Sequence, residues 1–210
     1  MVKELRKYGI VMADPKLHDI PNTVANRMCN YANYGANLVT VMASGGIEMM
    51  TSAVEITEEV FENRGNKPPL TRVVAVTVLT SLSEEDCCLI YGMPVKAKVL
   101  SLAKDAYIAG VDVIVCSPQE LKFLNQFRYL DSLNRITPGI TPVWAAKPGD
   151  QKRVTPPSVA IRNGAWKIVV GRAITQAPKE VGTPVDATQR ILEEVKKTRA
   201  EIKTEQEIND

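Results

Sequence analysis

Six short apolar runs punctuate the 210-residue chain, at 9–14, 38–43, 73–78, 111–116, 135–137 and 167–171, and each is followed by a helix-like pattern. Their apolar residues are nearly continuous and do not alternate with polar ones. That pattern suits parallel strands covered on both faces, whereas a half-exposed antiparallel sheet alternates. Strand and helix in repeated succession leave two architectures, a doubly wound sheet or a (β/α)8 barrel. Six units are counted where a closed barrel needs eight. No low-complexity linker interrupts the series, so residues 1–210 are read as one α/β domain with room for a sizeable core.

The intervening segments carry helix start and stop signals. Ser117-Pro118-Gln119-Glu120 combines a capping serine, an early proline and a glutamate three residues on, which is a capping box. Thr155-Pro156 opens another helix and Asn163-Gly164 closes it. Val95, Val99, Leu102 and Ala106 line one face of a helix that ends at Gly110. Ala187, Ile191, Leu192, Val195 and Ile202 do the same in the last helix, whose charged end is read as solvated.

Charge and composition narrow the function. The chain has 26 Lys plus Arg against 24 Asp plus Glu, a net charge of +2, so nothing electrostatic argues for nucleic acid or an acidic membrane as partner. No apolar run approaches the roughly 18 residues that span a bilayer. The opening MVKELRKYG is not followed by a signal-type apolar stretch, and a cytosolic protein is expected. Cys29, Cys87, Cys88 and Cys116 lack metal-ligand spacing, and the one histidine is His18; ordinary thiols and no metal site are expected.

Chemistry concentrates in ADPKLHDIPNTV, residues 13–24, where Asp14, Lys16, His18 and Asp19 follow the first apolar run. Along a strand, residues i and i+2 point to one side, so Asp14 and Lys16 share a face at the carboxyl end of the strand, with Pro15 turned away. That end is where active sites lie in parallel α/β folds. Two carboxylates around one ammonium group would fix a lysine able to give a proton to carbon or to neutralise a developing anion. The spacing fits equally well a plain Asp14–Lys16 ion pair with Asp19 as a helix cap. Ser44-Gly45-Gly46 is open to two readings as well, a ligand loop or a turn leading into a helix.

The run from Asp14 to Val24 resembles the D-x-K-x-x-D-I-P-N-T signature of the orotidine 5′-monophosphate decarboxylase family. VTVMASGGIEMM (39–50), AVTVLTSLSEED (75–86), VIVCSPQEL (113–121), ITPGI (136–140), GDQKRV (149–154) and VVGRAITQAP (169–178) are similar to further family segments, in the family's order. The resemblance implies a TIM barrel that works as a homodimer, without metal or organic cofactor, on orotidine 5′-monophosphate (OMP) to give UMP and carbon dioxide. It implies that Lys16 protonates the C6 carbanion, that Asp14 lies against the substrate carboxylate, and that Asp19 completes the charged array of the neighbouring subunit. Ile20, Pro21, Asn22, Thr23 and Thr80 would meet the substrate, and Gln151, Gly171 and Arg172 would hold its phosphate, where barrels use backbone amides and an arginine fork.

This chain departs from the family pattern in three places. Its match begins around Lys3-Glu4-Leu5, so the expected fold is a barrel lacking its first two strands in this chain. With them goes the first lysine of the family's charged tetrad; Lys3, Arg6 and Lys7 do not stand at its position. Thr141 replaces a usual arginine and Met42 a common histidine. Two alternatives stand beside the decarboxylase: a truncated or repurposed scaffold that binds UMP-like phosphates without turnover, and a magnesium-dependent sugar-phosphate decarboxylase of the same superfamily.

Overall fold

The reason the apolar runs become strands is plainest at Leu38–Met42 (β2) and Arg72–Val76 (β3). Four of the five residues in each are buried, so neither face meets water. The two strands run parallel in unbroken register, from Leu38 opposite Arg72 to Met42 opposite Val76. The structure is a computed structural model and describes residues 1–146 and 155–209. These fall into two compact units: Met1–Val115 with Phe127–Asn134, and Cys116–Gln126 with the chain from Arg135 onward.

The first unit contains α1 (Val2–Leu5), β1 (Met12–Leu17), α2 (Pro21–Asn33), β2, α3 (Ile47–Asn63), β3, α4 (Glu84–Tyr91), α5 (Val95–Ile108) and β4 (Val113–Val115). Its four strands pair in chain order, all parallel. The helices bury one stripe each: Val24, Met28 and Ala32 on α2, Met49, Met50, Ala53, Thr57 and Val60 on α3, and Val99, Leu102, Ala103 and Ala106 on α5. These spacings of three and four residues are the helical period that sets an apolar face on a sheet. Ser83 and Asp86 close a capping box at the start of α4, and the chain leaves that helix through Gly92 at φ 68.

The second unit holds α6 (Leu121–Leu124), β5 (Asn134–Thr137, in this unit from Arg135), α7 (Pro157–Arg162), β6 (Lys167–Ile168), α8 (Arg172–Thr175) and α9 (Pro184–Asn209). β5 and β6 run parallel, with Ile136 opposite Lys167 and Thr137 opposite Ile168. α9 is tied to α7 by Arg162, which pairs with Glu201 and, at 3.0 Å, with Glu205. Glu194 also accepts the Ser158 N–H at 2.9 Å.

All six expected strands form, in the expected order, but their ends move. β1 starts at Met12 and not at Gly9, because Ile10 is 69% exposed and only Val11 turns inward. β6 is two residues long, so Gly171 and Arg172 follow it and do not end it. Glu120 does accept the Ser117 N–H, at 2.6 Å, but in a turn ahead of α6 and not as the expected helix cap, since that single-turn helix starts at Leu121 without a side-chain cap. On α9 the buried stripe runs through Ala187, Ile191 and Thr198, while Leu192 is 50% exposed. Among the described residues, no helix is long and apolar enough to cross a membrane.

Candidate active site

β1 does not follow β2 one residue for one. Ala13 stands opposite Val39 and Leu17 opposite Val41, so Asp14, Pro15 and Lys16 together face Thr40. Extra residues on one strand make a bulge, which re-aims side chains and is common beside active sites. Pro15 has no N–H to contribute to the ladder. Lys16 has φ 47, in the left-handed region that residues with a Cβ avoid.

The bulge brings the expected pair together. Lys16 Nζ donates to Asp14 Oδ2 at 2.6 Å. The pair meets because the strand bulges there, whereas the regular i, i+2 alternation was expected to do it. Both side chains remain open, Lys16 at 41% and Asp14 at 51% exposed, so a ligand can reach them. A three-residue detour is supported at its base by Thr40. That threonine is fully buried; its hydroxyl accepts the Lys16 N–H at 2.9 Å and donates to Asp14 Oδ1 at 2.8 Å. Sequence reasoning passed over Thr40, because a threonine inside LVTVM reads as one more β-branched strand former.

Asp19 does not join the pair within this chain. Its Oδ1 accepts the N–H of Ile20 at 2.8 Å, in the turn that Pro21 converts into α2. Ile20 to Thr23 form the start of that helix, with Ile20 and Asn22 exposed. His18 is exposed and lies beside Gly45, where an added Cβ would run into the Met49 sulfur and stand 3.2 Å from the His18 ring. Ala43–Gly45 form a 3-10 turn that leads through Gly46 into α3, and a side chain at Gly45 would require the Met49 tip to shift. Thr80 lies exposed in the turn after β3. Lys3 lies over the Tyr34 ring, Arg6 over Gly35, and Lys7 pairs with Glu4 at 2.7 Å.

In the second unit Gly171 is the residue before α8, with open space where a Cβ would stand, and Arg172 is exposed at the first helical position. The Gly171 carbonyl accepts the N–H groups of Ile174 and Thr175. Gln151, with the GDQKRV segment, lies outside the described residues. Thr141 donates its N–H to the Thr155 carbonyl at 3.0 Å. Among the described residues, no group of three or more His, Cys, Asp and Glu side chains is arranged to hold a metal ion.

Comparison with known proteins places the chain in a family. A family model described as orotidine 5′-phosphate decarboxylase / HUMPS family matches residues 1–184. The orotidine 5′-phosphate decarboxylase of Citrifermentans bemidjiense is 41% identical over 188 residues, which is 89% of this chain and 75% of that protein. The Idiomarina loihiensis enzyme of the same name is 44% identical over 177 residues, covering 83% of this chain and 72% of the relative. Among solved structures, orotidine 5′-phosphate decarboxylase from Lactobacillus acidophilus superposes with a TM-score of 0.73 at 34% identity, over 92% of this chain and 79% of that one.

Proposed function

Because the chain belongs to the orotidine 5′-phosphate decarboxylase / HUMPS family, we propose that it converts OMP to UMP and carbon dioxide. It is then a lyase of pyrimidine nucleotide synthesis. The observation that carries the reading is the Lys16–Asp14 pair, 2.6 Å apart on a bulge at the carboxyl end of β1. In the reaction, the bond between C6 and the carboxyl carbon breaks, carbon dioxide leaves, and the electron pair stays on C6. Lys16 gives that carbon a proton. Asp14 holds the ammonium group in place and sets its negative charge against the substrate carboxylate, which disfavours the bound ground state relative to the neutral product.

The roles of the remaining residues are part of the same proposal. Ile20, Pro21, Asn22, Thr23 and Thr80 meet the nucleotide, and Gly171, Arg172 and Gln151 take its phosphate. A guanidinium suits that task, since it is permanently charged and presents a planar fork to phosphate oxygens. Asp19 serves the site of a second subunit in a cytoplasmic homodimer. Its exposed carboxylate, bonded to Ile20 N and not to Lys16, supports that reading. The domain is taken to be a single (β/α)8-type barrel, 1–210, whose six strands correspond to the last six of eight.

The test is direct. OMP is added to the purified chain, with and without a chelator, and the loss of its ultraviolet absorbance is followed beside a Lys16→Ala control. Turnover that survives the chelator and vanishes in the control supports the reading. Equal turnover in control and parent would sink the assignment of Lys16, and no turnover with UMP still bound would leave a binding scaffold.

A further inference from the structure

The three hydrogen bonds around Thr40 close a ring. The Lys16 N–H donates to the Thr40 hydroxyl, the hydroxyl donates to Asp14 Oδ1, and Asp14 Oδ2 receives the Lys16 ammonium, at 2.9, 2.8 and 2.6 Å. A hydroxyl has one proton to give. Here it goes to the carboxylate, which leaves a lone pair for the Lys16 N–H and fixes the direction of every bond. The ring ties the backbone of Lys16 to its own side-chain head through a residue on the next strand. Thr40 is held on its far side too, where it stands opposite Val74 in the regular β2–β3 ladder. A fully buried anchor thus grips two half-open charged groups.

We propose that Thr40 is a positioning residue for decarboxylation: its hydroxyl holds the Lys16 backbone at positive φ and aims Asp14, so that the ammonium stands where the carbanion forms. The inference rests on the functional reading above. The competing explanation is that Thr40 only fills a β-branched strand position. Two substitutions separate the explanations, because Thr40→Val keeps the shape and loses the hydroxyl, while Thr40→Ser keeps the hydroxyl and loses the methyl group.

Parent, Thr40→Val and Thr40→Ser are compared for kcat and KM with OMP, for UMP affinity, and for hydrogen exchange of the Lys16 amide by NMR. In Thr40→Val, kcat is expected to fall about 10- to 100-fold, the scale of a small misplacement of reacting groups, while UMP affinity stays within about 3-fold. The Lys16 amide should exchange faster. Thr40→Ser should restore both properties. If Thr40→Val does not fold, Thr40→Ala removes the same hydroxyl without adding bulk and takes its place. A valine variant with parental kcat and parental amide exchange overturns the inference. A parent without turnover counts against the functional reading, and amide exchange then still decides whether Thr40 holds Lys16.

Discussion

The cluster of ionisable side chains around Lys16 in the first unit and that around Cys116 in the second are built in opposite ways. Around Lys16 the charged heads are about half exposed, and only the Thr40 hydroxyl beneath them is buried. Around Cys116 almost everything is buried: Cys116 is 1% exposed, Arg135 6% and Glu120 7%. Arg135 donates to Asn125 Oδ1, and Asn125 Nδ2 donates to the Asn163 carbonyl at 3.0 Å. Burial, with the Glu120 charge added to it, pushes the Cys116 thiol up to about 12 against the opposing pull of Arg135. That thiol stays protonated and inert. Perturbed titration is often a pointer to a functional site, but here the clearest shift marks a cluster that holds structure. Access to a ligand, a bulge and positive φ distinguish the other, which is the proposed site of chemistry.

The contrast can be broken most sharply at Lys16. Lys16→Ala should lower turnover by about 10²- to 10⁴-fold, the scale of a general acid. Its melting temperature should barely move, because an exposed ion pair contributes at most about 1 kcal/mol. The reverse pattern is expected of Arg135→Ala, which removes a buried guanidinium bonded to Asn125 and should cost about 1–3 kcal/mol in a denaturant titration. Turnover per folded molecule should remain. Comparable activity loss in both variants would erase the distinction between the clusters.

Arg172→Ala tests a cation that is exposed and, by the proposal, binds phosphate. UMP affinity should weaken by about 1–3 kcal/mol, measured by calorimetry, with stability within about 0.5 kcal/mol of the parent. The gentlest slope belongs to Cys116. Its thiol titrates higher in the folded chain than its ordinary value of 9.0, so the unfolded chain loses this proton first as pH rises. Its contribution to stability is whole below pH 9 and falls on the way to about 12. Cys116→Ser, which does not titrate there, should flatten the alkaline stability curve by about 1 kcal/mol per pH unit, compared by urea titrations above pH 9.

The regular parts of the fold were legible in sequence because their residues obey one rule at a time. β2 and β3 are apolar throughout and pair in register, and α2, α3 and α5 show clean helical stripes. Boundaries were lost where two rules compete. Gly9 and Ile10 extend the apolar run without being covered, and Leu192 is apolar next to the buried Ile191 yet is itself 50% exposed. The candidate site was legible as composition and not as geometry. Asp14, Lys16 and Asp19 stood out as charges, but the joining of Asp14 to Lys16 depends on a bulge, and a bulge has no residue of its own to announce it. Asp19 bonds to the N–H of its neighbour Ile20 and so neither joins Lys16 within this chain nor caps α2, which starts without a side-chain cap. Thr40 was hidden by being a good strand former.

Position 16 sets the stability of the chain against its usefulness. A glycine or an asparagine rests at φ 47 with less strain than a lysine does. Any search that rewards only folding, whether in a stability screen or in drift without demand for the product, is therefore pulled toward discarding the amine. On the proposed function, the lysine persists in such a contest only while its chemistry is being used.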